Sequence, residues 1–170
     1  MITDFLVEHA WLSPTVLALL VVFGPFVGWW LVTRPRLAWT LVGLSLLPVA
    51  ALTLLPVDRT PFERCAVQWA VPTSIGKIEL LANVVLFVAP VLFVSVALRR
   101  PLLALLAGSA LSVVAEAIQA ALLVIGRSCD TSDWLNNTIG AAIGAALGAV
   151  ALLLAHGKPR GGRPGRTVAP

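Results

Sequence analysis

One glutamate, Glu116, lies inside a long apolar stretch. Ser109, Ser112 and Gln119 share its face at spacings of three and four, so the four residues form one stripe on a helix. Two more polar pairs stand at four-residue spacing, Glu79 with Asn83 and Asp133 with Asn137, each near the start of an apolar stretch. Arg127, Asp130 and Asp133 follow one another in steps of three, which sets them on one side of a turn or helix start. The two aspartates suit a helix N-terminus, where carboxylates cap free amides. Such a set can bind a cationic or multiply hydrogen-bonding ligand. It can also hold a hard divalent cation or run acid–base chemistry through a glutamate. The sequence has no Ser/His/Asp set, HExxH, CxxC or phosphate-binding glycine loop. His9 and His156 lie near the chain ends and pair with neither cysteine, so a catalytic cysteine is not expected.

The elements that position these residues follow from hydropathy. The chain is 59% hydrophobic, with a mean hydropathy of +0.96. A membrane-spanning helix needs about 20 mostly apolar residues. Five stretches qualify: 12–33, 37–57, 78–98, 101–125 and 134–156. The alternating pattern of barrel strands is absent, and lipid tolerates no open backbone. The expected fold is therefore an all-α integral membrane protein, a bundle of about five transmembrane helices. The first stretch is not expected to be a cleaved leader, because no basic residue precedes it. Pro35 and Pro101 stand where the second and fourth helices would begin, after short Arg-bearing hairpins.

Charge predicts the orientation. Eight of the twelve basic residues fall in three clusters, Arg34/Arg36, Arg99/Arg100 and Lys158/Arg160/Arg163/Arg166, after spans one, three and five. None of the eight acids lies in them. Basic short loops stay cytoplasmic, so the N-terminus is expected outside and the C-terminus inside. Trp11, Trp69 and Trp134 then form an outer aromatic belt, and Trp29, Trp30 and Trp39 an inner one. The same bias accounts for a pI near 10 without nucleic acid. Residues 1–156 read as one membrane domain, and 157–170 as a disordered basic cytoplasmic tail beside anionic lipid.

Ionisable residues inside spans are costly and usually mark function or a paired structural site. Glu116 lies ten residues before Gly126. That places it about 15 Å below the outer end of a continuous helix, near mid-membrane. The stripe must then face other helices or a water-filled cavity. The structural alternative is an ion-paired lattice in which Arg127 neutralises Asp130 or Asp133 and amides bridge the rest. Gly140, Gly144 and Gly148 form a small-residue packing face. Its partner is left open between span four and another protomer, and with it a homo-oligomer. Cys65 and Cys129 both fall on the expected outer side, where disulfides persist. A Cys65–Cys129 bridge would tie the long outer loop over the polar stripes.

Four ordered fragments resemble the VanZ-like family. They are Asn83-Val-Val-Leu-Phe-Val-Ala-Pro90, Glu116-Ala-Ile-Gln119, Arg127-Ser-Cys-Asp130-Thr-Ser-Asp133 and Asn137-Thr-Ile-Gly140. The resemblance covers about residues 78–150, the motif core of a single VanZ-like domain, and spans one and two match only in general character. Two positions depart from the pattern. Ala89 precedes Pro90 where relatives often have Pro before a small residue, and Cys129 replaces an aromatic or apolar residue. The resemblance implies a multi-pass protein of the bacterial cell membrane, with a link to low-level resistance to the glycopeptide teicoplanin through the family's namesake. It carries over Asn83, Glu116, Gln119, Arg127, Asp130, Asp133 and Asn137 as ligand-binding residues. The leading expectation is an outward-facing polar pocket for a cell-envelope ligand: a lipid headgroup, a lipid-linked wall precursor or a lipoglycopeptide. No cofactor or resident metal is expected. One alternative is a membrane enzyme that modifies an envelope lipid or polymer with Glu116 as acid or base. Another is a helix-packing partner subunit without a ligand site.

Overall fold

The computed structural model describes residues 8–56, 65–67, 69–71, 78–122, 126 and 128–157. Five helices in it are long and apolar enough to cross a membrane. They are α1 (Leu12–Leu31), α2 (Pro35–Leu54), α3 (Ile78–Leu98), α4 (Pro101–Ala121) and α5 (Thr131–His156). The chain is an all-α membrane protein apart from one two-residue pairing. β1 (Cys65–Ala66) runs parallel to β2 (Cys129–Asp130), with Cys65 opposite Cys129 and Ala66 opposite Asp130.

The starts of α2, α4 and α5 have local causes. Pro35 and Pro101 occupy the first turns of α2 and α4, where the missing N–H costs nothing. The α3–α4 link is so tight that Arg99 adopts a positive φ of 55°, a strained region for a residue with a Cβ. Helix α5 starts three residues earlier than hydropathy suggests. The Asp130 carboxylate accepts the Ser132 N–H at 2.8 Å, and Asp133 adds an acid to the first turn. Helix α4 stops at Ala121 rather than continuing through residue 125, and Gly126 beyond it has φ 70°.

Helices α3 and α5 form the centre. In each, 44% of the most apolar stretch is buried, against 17–22% in the other three. Helix α1 packs on both, α4 packs on both, and α2 packs mainly on α3. Lipid tails are as apolar as leucine, so close packing rather than water exclusion holds such helices together. Gly140, Gly144 and Gly148 provide that closeness, but against α3 of the same chain and not against α4. A Cβ on Gly140 would overlap the Val84 carbonyl, one on Gly144 the Val88 carbonyl, and one on Gly148 the Ser95 side chain. The small-residue face, whose partner the sequence leaves open, is thus buried against α3 inside the bundle. Leu31, Val88, Leu92, Val96, Leu147 and Ala151 fill the adjoining core.

All four arginines among the described residues, Arg34, Arg36, Arg99 and Arg100, sit at one end of the bundle. There Arg99 Nη2 reaches the Val32 carbonyl at 3.3 Å and so joins the ends of α3 and α1. The described acids of the polar stripes lie at the other end.

Candidate functional site

The head of α5 gathers the polar groups. Asp133 Oδ1 accepts the Asn83 Nδ2–H of α3 at 2.6 Å. One turn on, Asn137 Nδ2 donates to Ser112 Oγ of α4 at 2.9 Å. Beside it, the hydroxyls of Thr138 and Ser109 meet at 3.0 Å. Glu116 Oε2 accepts the backbone N–H of Asp130 at 2.8 Å. The stripes of α3, α4 and α5 therefore converge, and each candidate hydrogen bond crosses between elements. Gln119 is buried on the same α4 helix. The Glu79 side chain and all of Arg127 lie outside the described residues.

Glu116 lies closer to the end of its helix than a continuous helix to residue 125 would place it. With α4 ending at Ala121, it lies five residues from the helix end, about 8 Å at 1.5 Å per residue. Its bond to Asp130 sets it level with the cap of α5. Glu116, Asp130, Asp133 and Asn83 are half-buried, so the carboxylates border the surface of this end. Among the described residues, the second Glu116 oxygen has no partner.

Residues 65–67 and 69–71 lie over the head of α5. The Cys65–Cys129 disulfide, expected from the sequence, joins Cα atoms 4.5 Å apart. Past it, the Ala70 N–H donates to Ser132 Oγ at 3.2 Å, and Asn136 Nδ2 donates to the Ala70 carbonyl at 3.0 Å. Asn136 Nδ2 also reaches the Ser132 carbonyl at 2.7 Å. Trp69 meets Trp134 edge-on, with ring centroids 6.4 Å apart. Sequence reasoning passed over Asn136 and Ser132, although they repeat the four-residue spacing of Asp133 and Asn137 one step back. That second pair was the available signal. Three buried atoms here have no partner among the described residues: Trp134 Nε1, Asn136 Oδ1 and Asn137 Oδ1. Such groups are uncommon in folded proteins.

The patch offers carboxylate and amide oxygens, which suit a ligand rich in N–H or O–H donors. Among the described residues, no group of three or more His, Cys, Asp or Glu is placed to hold a metal ion. Two clefts stand out, and both lie at the arginine end. One of about 590 Å³ is bounded by α1 and α5, and one of about 450 Å³ by the start of α4.

Five apolar helices with their polar groups collected at one end define a multi-pass membrane protein. The chain belongs to the VanZ/LLP1 family, whose model matches residues 11–153 and so takes in α1 and α2 as well as the motif core. No curated protein and no solved structure matches it.

Proposed function

We propose that this protein binds a cell-envelope ligand at the disulfide end of the bundle, with Glu116 at the centre of the site. The carrying observation is that carboxylate's position. It is half-buried, one oxygen is held by the Asp130 amide, and the other has no partner among the described residues where the polar stripes of three helices meet. Asn83, Asp133 and Asn137 flank it, and Gln119, Asp130 and Arg127 complete the set. The ligand is the donor-bearing head of an envelope lipid, a lipid-linked wall precursor or a lipoglycopeptide whose tail enters the bilayer. Binding shields or sequesters that target and contributes to glycopeptide (teicoplanin) resistance.

The charge split supports an orientation with this end outside a bacterial cell membrane and the arginine end inside. The disulfide agrees, since it needs an oxidising compartment. A second reading is favoured by the mutual hydrogen bonds of Asn83, Ser112, Asp133 and Asn137. In it the cluster only locks three helices together.

The test is binding to the protein in lipid nanodiscs, using fluorescent teicoplanin and a labelled lipid-linked wall precursor. Wild type should bind at least one probe saturably, and folded Glu116→Gln and Asp133→Asn variants should bind it at least tenfold more weakly. Equal binding by the folded variants overturns the site. Unfolding of both variants selects the locking reading.

A further inference from the structure

The arginine end carries a second feature that the polar site does not use. Phe26 and Trp29 of α1 face Leu153 and Leu154 of α5, and Gly157 just past it, across an open apolar cleft of about 590 Å³. Phe26 and Leu153 are among the most exposed large apolar side chains of the bundle, at 60% and 71%. Trp30 stands one turn past Phe26 on α1, and Arg34 follows just beyond the helix end. That cation is held in place. Arg34 Nη1 donates to the Trp30 carbonyl at 2.9 Å, and the guanidinium lies 4.0 Å over the Trp30 ring. A guanidinium has five N–H donors, so most remain available to an anion. Arg36, Arg99 and Arg100 lie at the same end, with no Asp or Glu among the described residues there.

We infer that this cleft is a binding site for one anionic phospholipid, with an acyl chain between α1 and α5 and the phosphate on Arg34. The two chemistries adjoin along α1: Phe26 lines the apolar cleft, and Trp30, one turn on, carries the fixed guanidinium. Stacking on Trp30 pre-orients Arg34, and guanidinium meets phosphate through paired hydrogen bonds. A zwitterionic lipid of the same chain length would fill the slot equally but gain less from the uncompensated arginines.

The full-length protein, stripped of lipid in detergent, is incubated with phosphatidylglycerol or phosphatidylcholine of identical chains. Bound lipid is then counted by native mass spectrometry. Phosphatidylglycerol should be retained preferentially by wild type. Arg34→Gln should cut that retention about fivefold, the factor expected for one basic group near a lipid surface. Arg36→Gln removes the same charge from an exposed arginine two residues on and should leave retention nearly unchanged. Leu153→Trp, which fills the slot with a side chain already facing lipid, should lower retention of both lipids. Equal retention of the two lipids by wild type, or equal loss in Arg34→Gln and Arg36→Gln, overturns the site. Unchanged retention in Leu153→Trp overturns the acyl slot. Protein dimers that disappear in Leu153→Trp would assign the cleft to a second copy and overturn it as well.

Discussion

Substituting Gly140 by alanine tests the packing that brings the polar stripes together. The added Cβ would overlap the Val84 carbonyl oxygen, with the Val84 carbonyl carbon 2.9 Å away and its Cα at 3.1 Å. All three atoms are backbone, so no rotamer change relieves the clash. Overpacking of this kind costs about 1–3 kcal/mol. Alanine recovers up to about 1 kcal/mol through its better helix propensity. Because the obstacle is rigid, the upper part of the range applies, and the net loss is about 2 kcal/mol. Pushing α5 from α3 also lengthens the Asn83–Asp133 hydrogen bond, now 2.6 Å. Gly43 on α2 is the control, because an added Cβ there meets no atom within 4 Å. The assay is unfolding in mixed micelles with rising SDS, followed by circular dichroism. Gly43→Ala should match or exceed wild type, and Gly140→Ala should unfold at clearly lower SDS. Equal stability of the two variants would refute the claim that α3 and α5 meet at backbone contact.

Three further outcomes follow from the same contacts. Replacing Cys65 and Cys129 together by serine removes a clasp between residues 64 apart and should cost up to roughly 4 kcal/mol in the chain-entropy picture. The check is a lower thermal midpoint that reductant no longer shifts. Asn136→Ala deletes two hydrogen bonds and strands the Ala70 carbonyl, a loss of about 1–3 kcal/mol. Limited proteolysis should then cut near residues 65–71 faster while α3 and α5 stay intact. A double-mutant cycle of Asn83→Ala and Asp133→Ala should give a coupling energy of about 0.6–1.7 kcal/mol, the range for interhelical hydrogen bonds in membranes. Zero coupling in unfolding assays would remove that bond from the account.

Much of this arrangement was legible in the sequence because its causes are local. Hydropathy placed α3 at its observed limits, and the prolines marked where α2 and α4 begin. Asp130 was readable as a cap from its residue type and place. The bridge between Cys65 and Cys129 was readable because both lie before polar helix starts on one side of the bundle. What hydropathy misplaced were helix ends. Leu122, Leu123, Val124 and Ile125 are as apolar as a helix in lipid, so nothing local marks the stop at Ala121, and the distance from Glu116 to the helix end was overestimated. The partner of the glycine face was also hidden, because small residues at four-residue spacing say that something comes close and not which helix it is. Asn136 was missed because its main tertiary partner, Ala70, is a backbone carbonyl with no side-chain signature. The polar residues themselves were found by their spacing, and their convergence needed the three-helix geometry.

The central claim is that Glu116 and Asp133 serve a ligand and not only the packing of three helices. The direct measurement is teicoplanin susceptibility in a sensitive Gram-positive host expressing wild type, Glu116→Gln or Asp133→Asn, with membrane abundance followed in parallel. Wild type should raise the inhibitory concentration, and equally abundant variants should not. Variants that protect as well as wild type would contradict the claim and leave the cluster a lattice that holds α3, α4 and α5 together.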